Sequence, residues 1–329
     1  MTLRCKPQAH LAVASEITSG AAFSSALEYS DLWRARDGNI PPLDDPTLQF
    51  SAQRSEKPSV LHLQTIVNRV SAGQIGPPDL ILTKFFQEWI CLTERQIRRL
   101  AANSFDKAHH IGTRLRILQK LDWFDGYWFS RQGVLEKEHV WMLGQGAFIF
   151  YTMMHGMHLL EPWQLHKYKS YSLSICAINE LRMILEERGK YAEVVYAPNW
   201  SKGDPIRPFS QFFIQSEKGP LTMYVERLAQ KSNPLRLMQK KQEMYEKMVA
   251  DNAGKLPMVQ PGAAMVVWSV GSLEAIEALV GSIDYMSDAF VQIFLPDECL
   301  DEFPRSFFVA KKGKREGEVE LQRLNMDIL

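Results

Sequence analysis

The chain has 329 residues, 46% of them hydrophobic and 23% charged, a composition that suits a folded protein with a sizeable core and roughly two domains. Lysine and arginine number 38 and so do aspartate and glutamate, so no global basic field can drive nucleic-acid binding and any electrostatic footprint must be local. The four cysteines, Cys5, Cys91, Cys176 and Cys299, form no C-x-x-C pair, and no apolar run approaches the ~20 residues of a membrane-spanning helix, which excludes zinc-ribbon, disulfide-framework and helical membrane classes.

In chain order, residues 1–78 read as an N-terminal extension, partly packed and partly mobile. They hold the turn-forming stretches "DGNIPPLDDP" and "SAGQIGPPD" with one short helix, "SVLHLQTIVNRVS", between them. "HLAVA" is too short for the apolar core of a signal peptide, so a reducing cytoplasm is the expected location, and Cys91 and Cys176 are expected as buried thiols in helical runs.

Residues 79–160 carry a helix over "DLILTKFFQEWICL" that leads directly into a second over "TERQIRRLA". A third, about Asp106–Leu121, places Ile111, Leu115, Leu118 and Leu121 on one face. Phe124, Tyr127, Trp128 and Phe129 supply a strand that turns through "SRQG" and returns as "HVWML". Three helices and a hairpin are the order of a winged helix-turn-helix, whose third helix enters the major groove. Between Lys84 and Lys120 the chain holds eight bases and only three acids, a local excess suited to phosphate contact. The expected DNA-binding residues are Arg114, Arg116 and Lys120 on the third helix, with His109, His110 and Thr113 nearest the base edges. Arg95, Arg98, Arg99, Lys107 and the wing residue Arg131 are expected on phosphates. Adjacent His109 and His110 point about 100° apart on a helix and cannot easily share one metal ion. "FIFYTMMHGMHLL" is apolar enough for a homodimer interface, and core burial explains it equally well.

From residue 161 to 329 the pattern changes. "YSLSICAINELRMILEERG" is an amphipathic helix, followed by the strands "YAEVVYAP", "SQFFIQS" and "LTMYVERL". The helix "LRLMQKKQEMYEKMVADN", the strand "AAMVVWSV", the helix "LEAIEALVGSI" and the strand "FVQIFLP" complete a mixed α/β sheet with helices on its faces. "SVGS" at Ser269–Ser272 begins a helix, where a phosphate can bind and where a plain turn with an N-cap also fits. The tail "AKKGKREGEVELQR" fits a hairpin end, a phosphate-touching arm or a solvated segment.

This order of elements resembles the PD-(D/E)xK nuclease core, and with the preceding winged helix it resembles the plasmid replication-relaxation family and its MobC-type mobilisation relatives. The resemblance covers roughly Leu80 to Phe294, through "LTERQIRRL", "LGQGAFIFY", "INELRMIL", "YVERL" and "QKKQEMYEKM". It implies an Asp at the start of the second strand, a Glu near the end of the third and a Lys close by. Such a set would hold Mg²⁺ or Mn²⁺ for DNA nicking. The Glu matches Glu226, but Leu228 stands where the Lys would be and Phe209 or Ser210 where the Asp would be. Asp204, Glu180 and Lys240 or Lys241 are the replacement candidates for catalysis, and Glu226 is the metal candidate. The departures favour a degenerate nuclease-like domain that needs no cofactor, with Glu226 and Arg227 as a surface ion pair at a strand end. The expected function is a sequence-specific accessory or regulatory protein of a mobile element. Its partners would be double-stranded DNA and other relaxosome or replication proteins. A metal-dependent nicking relaxase and a protein-interaction scaffold are the alternatives.

Overall fold

The structure is a computed structural model that describes residues 49–50, 62–102, 110–130, 137–157, 159–190, 192–198, 206–216, 218–229, 233–258, 260–283, 286–312 and 319–326. They form a mixed α/β fold with two sheets and two compact units, divided between Asn179 and Glu180 inside one helix. Among them no helix is long and apolar enough to cross a membrane.

The first unit contains β1 (Gln49–Phe50), α1 (Leu63–Ser71), α2 (Pro77–Trp89), β2 (Cys91–Thr93), α3 (Glu94–Ala101), α4 (Ile111–Lys120), β3 (Phe124–Ser130), β4 (Lys137–Leu143), α5 (Gln145–His155), α6 (Pro162–Lys167) and the first half of α7 (Lys169–Glu187). Its sheet runs β1-β3-β4-β2, all antiparallel. Two prolines in its first turn and Asp79, which accepts the Gly76 N–H at 2.7 Å, start α2. The expected run of helix through Leu92 does not occur. Ile90 adopts φ 64°, a left-handed conformation that no β-branched residue holds without strain, and α2 stops there. Cys91 therefore starts a strand rather than lying in a helix, and Cys91–Thr93 pair with Met142, Trp141 and Val140 of β4. Thr93 then caps α3 in a reciprocal box with Gln96, with bonds of 3.2 and 2.9 Å, a motif that contributes about 1 kcal/mol.

Trp89, Trp123, Trp141, Phe86, Phe124, Leu115 and Leu118 fill the core of this unit. The one polar atom of Trp123 is satisfied, its indole N–H donating to Thr83 Oγ1 at 2.9 Å. Buried amides fasten α7 to the β2–α3 segment: Asn179 Nδ2 donates to the carbonyls of Trp89 and Cys91, and Gln96 Nε2 donates to that of Cys176. The free thiols of Cys91 and Cys176 meet at 4.0 Å in the same core. The aromatic stretch of α5 is half-buried, while Met153 and Met154 at its end are exposed.

The second unit holds the rest of α7, then β5 (Ala192–Tyr196), β6 (Ser210–Ser216), β7 (Gly219–Arg227), α8 (Pro234–Asp251), β8 (Ala263–Val270), α9 (Leu273–Ser282), β9 (Gln292–Pro296), a 3₁₀ turn (Asp297–Glu302), β10 (Phe307–Lys312) and β11 (Val319–Leu324). The sheet keeps chain order, β5 to β11. Strands β5, β6 and β7 form an antiparallel meander, β7, β8 and β9 are parallel, and β10 and β11 close the edge as an antiparallel hairpin. Two crossover helices, α8 and α9, make the parallel pairings possible. Tyr224, Trp268 and Phe294 pack with Met238 and Tyr245 of α8 and with Ile276 and Leu279 of α9. The tail thus takes the hairpin form, with residues 313–318 outside the described set.

Candidate functional site

Helix α4 divides its residues by face. Ile111, Leu115 and Leu118 are buried, while Thr113, Arg116, Ile117 and Lys120 are exposed. Those four fall at i, i+3, i+4 and i+7, so they form one continuous stripe. No acidic residue lies on α4, and Arg95 on α3 is exposed as well. Helices α3 and α4 cross closely at Gly112, where an added Cβ would stand 2.3 Å from Glu94 Oε1.

The other expected cations behave differently. Arg114 sits on the flank of α4 and turns onto Asp79, a carboxylate only 2% exposed. Its Nε donates to Asp79 Oδ1 at 2.7 Å, one Nη donates to Asp79 Oδ2, and the same Nη reaches the Gln74 carbonyl at 2.9 Å. Asp79 holds the Arg114 pKa above its ordinary value, chiefly through the hydrogen bond. Arg114 therefore joins α4 to the start of α2 and leaves the exposed set. Arg98 pairs with Glu94 at 2.7 Å, Arg99 is half-buried, and His110 is exposed at the N-terminal end of α4. Lys107, His109 and Arg131 lie outside the described residues.

In the second unit Glu226 is not a surface group. It is 2% exposed and Lys241 is 5% exposed, and Lys241 Nζ stands 2.9 Å from Glu226 Oε2. The other oxygen, Oε1, accepts the Tyr245 hydroxyl at 2.6 Å and the Phe209 N–H at 3.2 Å. Lys241 also donates to the Arg207 carbonyl. Burial first, and the Glu226 charge next, push the Tyr245 hydroxyl well above its ordinary pKa, so it remains a donor. Lys241 and Tyr245, one turn apart on α8, address the same carboxylate.

Successive strand residues point to opposite faces, so Arg227 leaves this cluster. It forms a two-point pair with Asp297, both bonds 2.7 Å, and reaches Ser269 Oγ at 2.9 Å. Burial raises the Asp297 carboxyl above its ordinary value while Arg227 pulls it down, and nearby Glu180 adds to the rise. Glu180 thus belongs to the Arg227–Asp297 group, on the sheet face opposite Glu226. Lys240 is half-buried, and Asp204 lies outside the described residues. The expected surface pair between Glu226 and Arg227 is replaced by two separate buried pairs.

The register of β6 on β7 explains why this position matters. Ser210 pairs with Val225, which brings Phe209 beside Glu226 at the place expected to hold an Asp. Instead of a second carboxylate the chain offers a backbone N–H and an aromatic ring. Both oxygens of Glu226 are already engaged, and a cationic Lys241 fills the space beside them, so these residues do not fit a divalent metal. Among the described residues no group of three or more His, Cys, Asp or Glu is arranged to hold one. At "SVGS", Ser272 Oγ caps the Ala275 N–H, and Glu298 Oε1 accepts the Leu273 N–H at 2.6 Å. An internal carboxylate therefore takes the place a phosphate would use.

Tyr245, Glu298 and the exposed Ile117 were not anticipated as members of these clusters. The Lys241–Tyr245 spacing of four residues points to Tyr245 and the i, i+3, i+4, i+7 stripe of α4 to Ile117, while no local pattern points to Glu298, 25 residues from Leu273. No protein-family model, curated protein or solved structure matches the chain.

Proposed function

We propose that this chain is a sequence-specific DNA-binding accessory or regulatory protein of a mobile element, acting in plasmid replication, mobilisation or conjugative transfer. The exposed stripe of α4 carries the reading, because it puts Arg116 and Lys120 beside two groove-sized side chains on a helix whose opposite face is anchored in a core. The order helix, strand, helix, helix, strand, strand, with β2 pairing on β4 and β4 on β3, supports a winged helix-turn-helix with α4 as its recognition helix. Thr113 and Arg116 then face base edges, while Arg95 and Lys120 hold phosphates.

The second unit is read as a degenerate PD-(D/E)xK-like domain. A helix, a three-stranded meander, a crossover helix and a parallel strand support that reading. Its Glu226–Lys241–Tyr245 cluster acts as an internal brace, and the domain acts as a scaffold for relaxosome or replication proteins.

The experiment is a mobility-shift comparison on a duplex from the DNA flanking the gene. Arg116→Ala should weaken binding about 10- to 100-fold, the cost of one good base contact. Equal binding by wild type and variant would remove the proposal. A metal-dependent nicking relaxase is the weaker alternative, because the Glu226–Lys241 contact fills the space a divalent ion would take. It requires a supercoiled plasmid carrying the cognate origin to be nicked with Mg²⁺ or Mn²⁺, and Glu226→Ala to abolish nicking.

A further inference from the structure

Ile117 is the one large hydrophobic side chain of α4 that faces outward, with 44% of its surface exposed. It does not stand alone: Thr113 lies one turn before it, Arg116 beside it and Lys120 one turn minus one residue after it. An aliphatic side chain framed by two cations and a hydroxyl suits a surface that is itself apolar at one point and anionic around it. The major-groove edge of a thymine has that character. Its C5-methyl is the one apolar group a base pair presents there, and phosphates line both sides. A guanine next to it would offer O6 and N7 to the Arg116 fork. Neither the core nor an ion pair uses Ile117, and leucine-type burial explains only the opposite face of the helix.

We infer that Ile117 is a specificity-determining residue that packs on the C5-methyl of a thymine, adjacent to a guanine read by Arg116. This rests on the DNA-binding reading and goes beyond it by assigning part of the base sequence. Removing a methyl from such a contact weakens binding about fourfold per thymine touched.

The test uses the full chain and a random 20-base-pair duplex library. After enrichment, the bound duplex is resynthesised with single thymines replaced by uracil, which removes only the C5-methyl. One or two positions, each flanked by guanine, should lose about fourfold with wild type, and Ile117→Ala should bind the thymine and uracil forms equally. Because Ile117 is exposed, the variant should melt with wild type, and Ile117→Val should retain part of the discrimination. Enrichment of a sequence that binds equally well with uracil throughout overturns the thymine contact while leaving DNA binding intact. Discrimination that persists unchanged in Ile117→Ala assigns it to another residue and also overturns the inference. Failure of the library to enrich at all removes the DNA-binding reading and this inference together.

Discussion

Lys241→Met is the sharpest test of the second unit. The substitution keeps the length and most of the volume of the side chain but removes the ammonium that stands 2.9 Å from Glu226 Oε2. Glu226, 2% exposed, would keep the Tyr245 hydroxyl and the Phe209 N–H and lose its only counter-charge among the described residues. Breaking a buried pair from one side costs about 3–5 kcal/mol, because the remaining charge stays uncompensated. For a unit of this size that lowers the thermal midpoint by roughly 10 °C. Replacing both partners, as in Glu226→Leu with Lys241→Met, should cost less than the sum of the single changes by about 2–3 kcal/mol, since no lone charge is left behind. Thermal and urea melts of wild type, both single variants and the double variant close the cycle. Additive costs would refute the brace. So would a wild-type midpoint that rises with Mn²⁺ and a Glu226→Gln midpoint that does not, because a ligand that binds the native state raises its stability.

Arg114 and Arg116 lie two residues apart and should fail differently. Arg114→Ala should lower stability by about 1–3 kcal/mol by stranding Asp79, whereas Arg116→Ala should leave the melt unchanged and weaken DNA binding. The reverse pattern would show the two roles to be exchanged. Gly144→Ala should destabilise by roughly 1–3 kcal/mol, because an added Cβ would meet the Asp122 carbonyl oxygen at 2.5 Å and the backbone there must move; an unchanged urea midpoint would contradict that close approach. Tyr127, Tyr171, Tyr224 and Tyr245 all have hydroxyl pKa values raised by burial. The folded state holds their protons more tightly than the unfolded state, so their contribution is full below the unfolded value of about 10 and is lost as pH rises beyond it. Melting midpoints should therefore fall steeply above about pH 10, and a flat profile there would contradict their burial.

Much of the first unit is legible in residue order. The apolar face of α4 at Ile111, Leu115 and Leu118 and the alternation of β3 and β4 are local patterns, and the chain folds as they indicate. The strand β2 is not legible, because three apolar or small residues after a helix look like its continuation, and only the left-handed Ile90 and the pairing with β4 turn them aside. Nor can spacing show that Arg114 turns to Asp79, since the partner is 35 residues away and only the folded chain brings it near. The helix and strand alternation of the second unit indicates a mixed sheet, and the sheet is mixed, but its spatial order comes only from the pairings. The burial of Glu226 does not, because "VER" at a strand end reads as polar surface until α8 and the segment before β6 cover it. Lys241 stood among the candidates beside Lys240, and helical geometry alone decides that the second of these neighbours faces inward.

The claim on which the functional account depends is that exposed cations of the first unit hold duplex phosphate. The most direct measurement is the salt dependence of DNA affinity for wild type and for a variant with Arg95, Arg116 and Lys120 replaced by alanine. Log affinity should fall steeply with log salt for wild type, and the slope should drop by about one for each of these cations that contacts phosphate, alongside a large loss of affinity at low salt. Identical slopes and affinities for the two proteins would contradict the account.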